Sequence, residues 1–288
     1  MVGPMRVQNG DVGLNVVLDG VDDAPPILLL HGILGSSQTW DWLVPRLADR
    51  YRVLRLDFRG HGASDRVPGA YQSVDYVSDA VAVCEQVAGS PCIVIGHSLG
   101  GATAAGLAQT RPDLVRGVVL EDAPLSMPDP NAHGAERNSL IDTFALLRGM
   151  IPQVQATGMS IGDVTAIMAA SPSSSGGLYG EILHEDGIAT LAAGMLDVDA
   201  SVLDVVLDGS MAPVFETGRQ LAVPAAVVAA DPASPDAVTL PADLARLVLV
   251  SPHVATHTLA GANHLIHDSI GQREPFWSIV SEFLDSLD

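Results

Sequence analysis

The sequence predicts an α/β domain: eight strands in a mostly parallel sheet, helices on both faces, and a helical segment inserted after the sixth strand. Two observations carry this. Short, nearly continuous apolar runs alternate with segments of helical spacing from residue 27 onward, the pattern of a parallel sheet buried on both faces. One run, "CIVIGH", leads directly into a glycine–serine turn and then an Ala-rich helical stretch, a strand-to-helix junction of the kind on which α/β sites are built.

The elements follow in order. β-rich runs stand at "MRVQ" (5–8), "LNVVLDG" (14–20), "ILLLHG" (27–32) and "YRVLRLD" (51–57). They recur at "CIVIGH" (92–97), "RGVVLED" (116–122), "AAVVAAD" (225–231) and "ATHTLAG" (255–261). The first two are joined through the turn signal Asn9-Gly10-Asp11 and read as a hairpin, which gives the sheet an antiparallel start. Helical segments are expected at 39–48, 74–88, 100–110, 241–250 and 273–287. The alternation breaks between residue 124 and about residue 219, a stretch too long for a loop of a compact domain. "NSLIDTFALLRGM", "GDVTAIMAA", "GIATLAAGMLDV" and "SVLDVVLDG" have helical spacing there, with "SPSSSGG" (171–177) as flexible punctuation. Residues 1–123 and 220–288 are therefore read as the core domain and 124–219 as a helical lid (cap). The plainer alternative is that these helices extend the core beside the sheet.

Composition narrows the functional classes. At 288 residues with 48% hydrophobic residues and a mean hydropathy of +0.30, the chain can bury a sizeable core. The formal charge is −20, and all 14 basic residues are arginine. Such a balance argues against nucleic acid or an anionic membrane as partner, because both require basic patches. The longest apolar run, "LAVPAAVVAA", is ten residues broken by Pro224, far short of a membrane span. "MVGPMRVQNG" has no basic stretch followed by an apolar one, so no secretory signal is expected, and the expected location is cytoplasmic. Cys84 and Cys92 have no metal-ligand spacing and read as small buried thiols. No G-x-G-x-x-G or P-loop pattern follows any strand, which disfavours a nucleotide cofactor.

The stretch "IGHSLGG" places Ser98 between Gly96 and Gly100. G-x-S-x-G at a strand-to-helix turn is the nucleophile-elbow pattern, although glycine and serine are also common in ordinary turns. A serine hydroxyl needs an adjacent base, and "LAGANHLIHDS" supplies His264 directly after the last strand. His267 competes but stands three residues further on, expected past the sheet edge, and His257 lies within the strand. An oxyanion requires backbone N–H donors. Leu99, immediately after Ser98, is one candidate, and Ile33, in "LLLHGILGSSQTW" after the third strand, is the other.

With "HGILGSSQTW", "DFRGHGASD", "GHSLGG" and "GANHLIHD" in this order and spacing, the chain resembles the α/β-hydrolase family nearly end to end. The resemblance implies Ser98 as nucleophile, His264 as base, and Ile33 and Leu99 as oxyanion donors, with no metal or organic cofactor. It also implies a structural role for Asp57, Arg59 and the glycines of "DFRGHGASD". The acid departs from the usual pattern. Family members commonly carry it in a G-x-x-D turn after the seventh strand, where this chain reads "VVAADPASPD" with Ala230 at the glycine, Ala233 at the acid position and Asp231 two residues displaced. Other relatives, among them haloalkane dehalogenases and zearalenone hydrolases, carry it after the sixth strand, where "VVLEDAPL" offers Asp122. Asp122 is preferred, with Asp231 as the alternative. Glu121 is third, because strand alternation points it to the opposite face.

The combined expectation is a serine hydrolase cleaving an ester or lactone of a largely apolar small molecule. The apolar character is read from Leu146, Met150, Met159, Met168, Met195 and Met211 in the lid, since methionine-rich surfaces adapt their shape. A C–C bond hydrolase or a cofactor-free perhydrolase on the same residues, and a ligand-binding receptor with little turnover, are the alternatives.

Overall fold

Strand residues alternate between two apolar cores, and that alternation sets the layers. Ile27 and Leu29 of β3 (Pro26–Leu30), Val53 of β4 (Arg52–Asp57), Ile93 and Ile95 of β5 (Cys92–His97) and Val119 of β6 (Val115–Glu121) share one core. Their neighbours Leu28, Leu30, Leu54, Leu56, Val94, Val118 and Leu120 share the other. A strand buried on both faces needs apolar residues at successive positions, hence the continuous runs. The computed structural model describes residues 3–127, 131 and 138–288.

The sheet has eight strands in the order β1-β2-β4-β3-β5-β6-β7-β8, with β1 (Gly3–Asn9), β2 (Val12–Gly20), β7 (Ala225–Ala229) and β8 (Ala255–Thr258) completing the set. β1 pairs with β2 and β2 with β4 antiparallel, and the remaining pairs are parallel. All eight expected strands are present, and the first two form the hairpin. From β3 the chain passes to β4 on one side and later to β5 on the other. The loops leaving β3 and β5 therefore diverge at their carboxyl ends, and a crevice opens between them.

On one face lie α2 (Ser73–Val83), continued by a π-helical turn at Cys84–Ala88, and α3 (Leu99–Thr110). The other face is covered by Leu47 of α1 (Val44–Leu47) and by Phe276, Val280 and Leu284 of α10 (Arg273–Ser286). α9 (Pro241–Val250) contributes Leu247 to the first face's core. Cys84 and Cys92 are buried free thiols with sulfurs 3.7 Å apart.

Between β6 and β7 stand α4 (Ser139–Thr157), α5 (Ile161–Ala169), α6 (Tyr179–Ile182), α7 (Glu185–Asp197) and α8 (Asp204–Leu207). Ile151, Val164, Met195 and Leu203 from this stretch belong to the same apolar core as α2 and α3. Residues 128–130 and 132–137 of the expected lid lie outside the described residues. No helix of the described residues is long and apolar enough to cross a membrane.

The loop after β4 is built by its polar side chains. The Asp57 carboxylate accepts from Ser37 N (2.5 Å), Asn15 Nδ2 (2.9 Å) and Ala63 N (3.0 Å). The buried Arg59 guanidinium holds the equally buried Asp79 through Nε (2.8 Å) and Nη2 (2.6 Å). A buried ion of either sign requires such a partner.

Candidate active site

At the end of β5 the chain turns so sharply that Ser98 takes φ 51° and ψ −117°, a region costly for any residue with a Cβ. Ser98 N donates to Glu121 O at 2.9 Å, and Ala102 N donates to Ser98 O at 2.9 Å, so β6 and the first turn of α3 hold the junction. The flanking glycines are required by contact. A Cβ on Gly96 would lie 2.3 Å from Gly100 O, and one on Gly100 would lie 2.2 Å from Leu30 O. The serine stands between two glycines because the helix start passes against two strand ends.

After β8 the chain returns over the sheet and brings His264 to this turn. Its Nε2 lies 3.0 Å from Ser98 Oγ, and its Nδ1 lies 2.7 Å from Asp122 Oδ2. Asp122 follows β6 directly, is fully buried and has φ 33°. Its carboxylate also accepts from the amides of Ala230 (3.2 Å), Val238 (3.1 Å) and Thr239 (3.2 Å), which satisfies a charge withdrawn from water. Because a carboxylate only accepts, His264 Nδ1 carries the proton, and the Nε2 lone pair is left to receive the Ser98 hydroxyl.

Asp231 is placed differently. Its oxygens accept from Ala233 N (2.9 Å) and Gly261 N (2.7 Å), and these amides, Gly261 foremost, lower its pKa below the ordinary carboxylate value. It ties the turn before His264 to the end of β7 and makes no hydrogen bond to the imidazole.

Ile33 and Leu99 line the same cavity as Ser98. Gly32 permits the approach of the β3 loop: a Cβ there would lie 2.7 Å from His97 Nδ1 and 3.2 Å from Ser98 Cβ. Leu34, the next residue after Ile33, bends the loop back with φ 68°. Neither the Ile33 nor the Leu99 amide is taken up by another backbone group among the described residues. Nearby, His31 Nε2 accepts from Phe58 N at 3.1 Å, so its Nδ1 donates to Gly32 O at 2.8 Å. Burial lowers the His31 pKa below the ordinary imidazole value.

The cavity over Ser98 is apolar. Leu125, Ile141, Phe144, Val206, Val214 and Phe215 form much of its wall, and no charged side chain lines it among the described residues. Of the six lid residues singled out for apolar character, Met211 lines it. Leu146, Met150 and Met159 are exposed on the outside, because helical spacing marks a stripe without saying which way it faces.

One feature departs from the sequence reading. His267 does not lie past the sheet edge but is fully buried, with Glu121, on the sheet face opposite α2 and α3. His97, Glu121 and His267 form a group whose candidate ligand atoms lie within 4.8 Å of one another. The Glu121 oxygens already accept from His267 N (2.8 Å) and Nδ1 (2.8 and 3.0 Å), while His97 Nε2 donates to His264 O at 3.0 Å. The available signal for this pair was a carboxylate in the apolar run "GVVLED", a position that demands a partner.

A family model described as alpha/beta hydrolase fold matches residues 25–156. The 2-(acetamidomethylene)succinate hydrolase of Mesorhizobium japonicum is 38% identical over 117 residues, 41% of this chain and 41% of that protein, so the match spans about two fifths of the relative. Among solved structures, an esterase from Rhodococcus sp. ECU1013 superposes with a TM-score of 0.75 at 22% identity over 100% of both chains. The enol-lactonase of Burkholderia xenovorans superposes with a TM-score of 0.71 at 20% identity, over 98% of this chain and 99% of that one. The strand order, the strained serine turn and these likenesses agree: the chain has the α/β-hydrolase fold.

Proposed function

We propose that the chain is a serine hydrolase that cleaves an ester or lactone of a largely apolar small molecule through an acyl-enzyme. The observation that carries this reading is the continuous chain Ser98 Oγ–His264–Asp122, at 3.0 and 2.7 Å, opening on an apolar cavity. As Ser98 attacks the acyl carbonyl, His264 Nε2 takes its proton, and Asp122 stabilises the imidazolium through Nδ1–H. The charge that develops on the carbonyl oxygen is met by the amides of Leu99 and Ile33. His264 then protonates the departing oxygen. A water deprotonated by His264 attacks the acyl carbon, and the second tetrahedral collapse returns the proton to Ser98.

The helices between β6 and β7 act in this reading as a lid over 124–219. Ile141 and Phe144 of α4 and Val206 of α8 close the cavity opposite Ser98. The solved neighbours named above, an esterase and an enol-lactonase, support an oxygen-linked acyl substrate.

The lining sets an expectation about charge. A carboxylate on the acyl chain would enter the cavity without a partner, a penalty of several kcal/mol. Hydrolysis of p-nitrophenyl butyrate is therefore expected, and the mono-p-nitrophenyl ester of succinate should show kcat/KM lower by roughly 10²-fold or more. Equal kcat/KM for the two esters contradicts the apolar assignment. Absence of turnover on every neutral ester and lactone, with ligand binding retained, favours a receptor.

A further inference from the structure

Glu121, the last residue of β6, and Asp122, which follows it, make two carboxylate–imidazole pairs on opposite faces of the sheet. Asp122 meets His264; Glu121, with Val119, points into the other core and meets His267. The strand end of β5 is divided in the same way, Ser98 going to the first pair and His97 standing between the two. The His97 ring centroid lies 4.7 Å from that of His264 and 4.8 Å from that of His267.

The turn carrying both histidines has only the short 3-10 stretch Ile266–Asp268 as regular structure. The backbone ties it to its neighbours through His184 N donating to Asp268 O (2.8 Å), and side chains add the contacts nearest His264. His264 O accepts from His97 Nε2 (3.0 Å), and His267 N donates to Glu121 Oε1 (2.8 Å). His267 Nδ1 donates to the same carboxylate, and His267 O accepts from Arg273 Nε (2.7 Å). The His267 ring is stacked on Trp40, with centroids 5.1 Å apart and planes inclined by 28°. We propose that Glu121 and His267 are positioning residues, which clamp the 264–268 turn to the end of β6 so that His264 stays between Ser98 and Asp122. The proposal rests on the reading of those three residues as the reacting group.

The charges around His267 suit a clamp. Burial opposes its protonation, but Asp268 and Glu121 outweigh burial and hold its pKa up to about 9. Arg273 from α10 faces it as a cation, and His97 from β5 faces it as a neutral ring whose pKa burial and the neighbouring imidazoles depress. His184, the N-cap of α7, and Asp186, in its first turn, act on Asp268. A raised imidazole pKa stabilises the folded state fully below the ordinary value near 6.5, and this contribution is lost as pH rises through about 9. The clamp is thus intact at neutral pH.

The test uses the full chain as wild type, Glu121→Gln, His267→Leu and His267→Asn. Two readouts are taken: kcat and KM on p-nitrophenyl butyrate, and the downfield proton resonance of His264 Nδ1–H shared with Asp122. Glu121→Gln and His267→Leu should lower kcat on the order of 10²-fold, as small misplacements of reacting groups do, with KM little changed and the resonance weakened. His267→Asn, whose amide can donate to Glu121 from the Nδ1 position, should recover most of kcat and the resonance. A folded Glu121→Gln protein with wild-type kcat and resonance overturns the proposal. So does an Asn variant no better than Leu, with losses that follow melting temperature. Activity lost to a chelator and restored by zinc overturns it too, by making His97, Glu121 and His267 metal ligands. If the wild type hydrolyses no ester, the hydrolase reading fails by itself, and the response of the resonance still decides the positioning role.

Discussion

Ser98→Ala is expected to lower kcat by roughly 10³-fold or more without loss of the fold. The strain at this position belongs to the backbone, at φ 51°, and alanine carries the same Cβ into it, so folding cost is unchanged. The side-chain hydrogen bond removed is the one from Oγ to His264 Nε2 at 3.0 Å. Residual activity should come from the oxyanion amides and the cavity alone. The checks are kcat/KM on a neutral ester and the thermal melting curve of each protein. A variant that melts like the wild type and turns over at a similar rate removes Ser98 from the mechanism.

Asp122→Asn should cost about 10⁴ in kcat, the scale known for the serine-protease template. The amide can present N–H to His264 Nδ1, driving the ring proton to Nε2, where it faces the Ser98 hydroxyl and cannot accept from it. Asp231→Asn should leave kcat close to the wild-type value, since both Asp231 oxygens serve the amides of Ala233 and Gly261. Its effect should appear in stability instead, as a lower melting temperature from a loosened turn. Steady-state kinetics on the two variants separate the outcomes. A large loss from Asp231→Asn beside a mild one from Asp122→Asn would move the acid to the end of β7.

The strands were the most legible part of the chain, because a parallel sheet covered on both faces writes itself as unbroken apolar runs. "CIVIGH" and "AAVVAAD" could hardly be anything else. The helices between β6 and β7 were visible as periodic segments, but their facing was not. The spacing that drew attention to Met150 and Met159 holds equally for an outer face, and there they lie. Ser98 and His264 could be singled out by local pattern, a tight turn after one strand and a histidine after another. The choice between Asp122 and Asp231 needed coordinates. β6 and β7 are neighbours, with Asp122 N donating to Val228 O at 2.8 Å, so either strand end is close enough. What separates the two carboxylates is which one has its oxygens occupied by its own turn. The Glu121–His267 pair joins residues 146 positions apart, and no local pattern links them; only the cost of a buried charge hinted that Glu121 had a partner.

Intact-protein and peptide mass spectrometry after exposure to a fluorophosphonate tests the central claim most directly, because the reagent traps an activated serine without requiring the true substrate. One adduct is expected, on the peptide containing Ser98, absent from Ser98→Ala and formed far more slowly by His264→Ala. Adduct on a different residue, or ester hydrolysis that continues undiminished in Ser98→Ala, would contradict it.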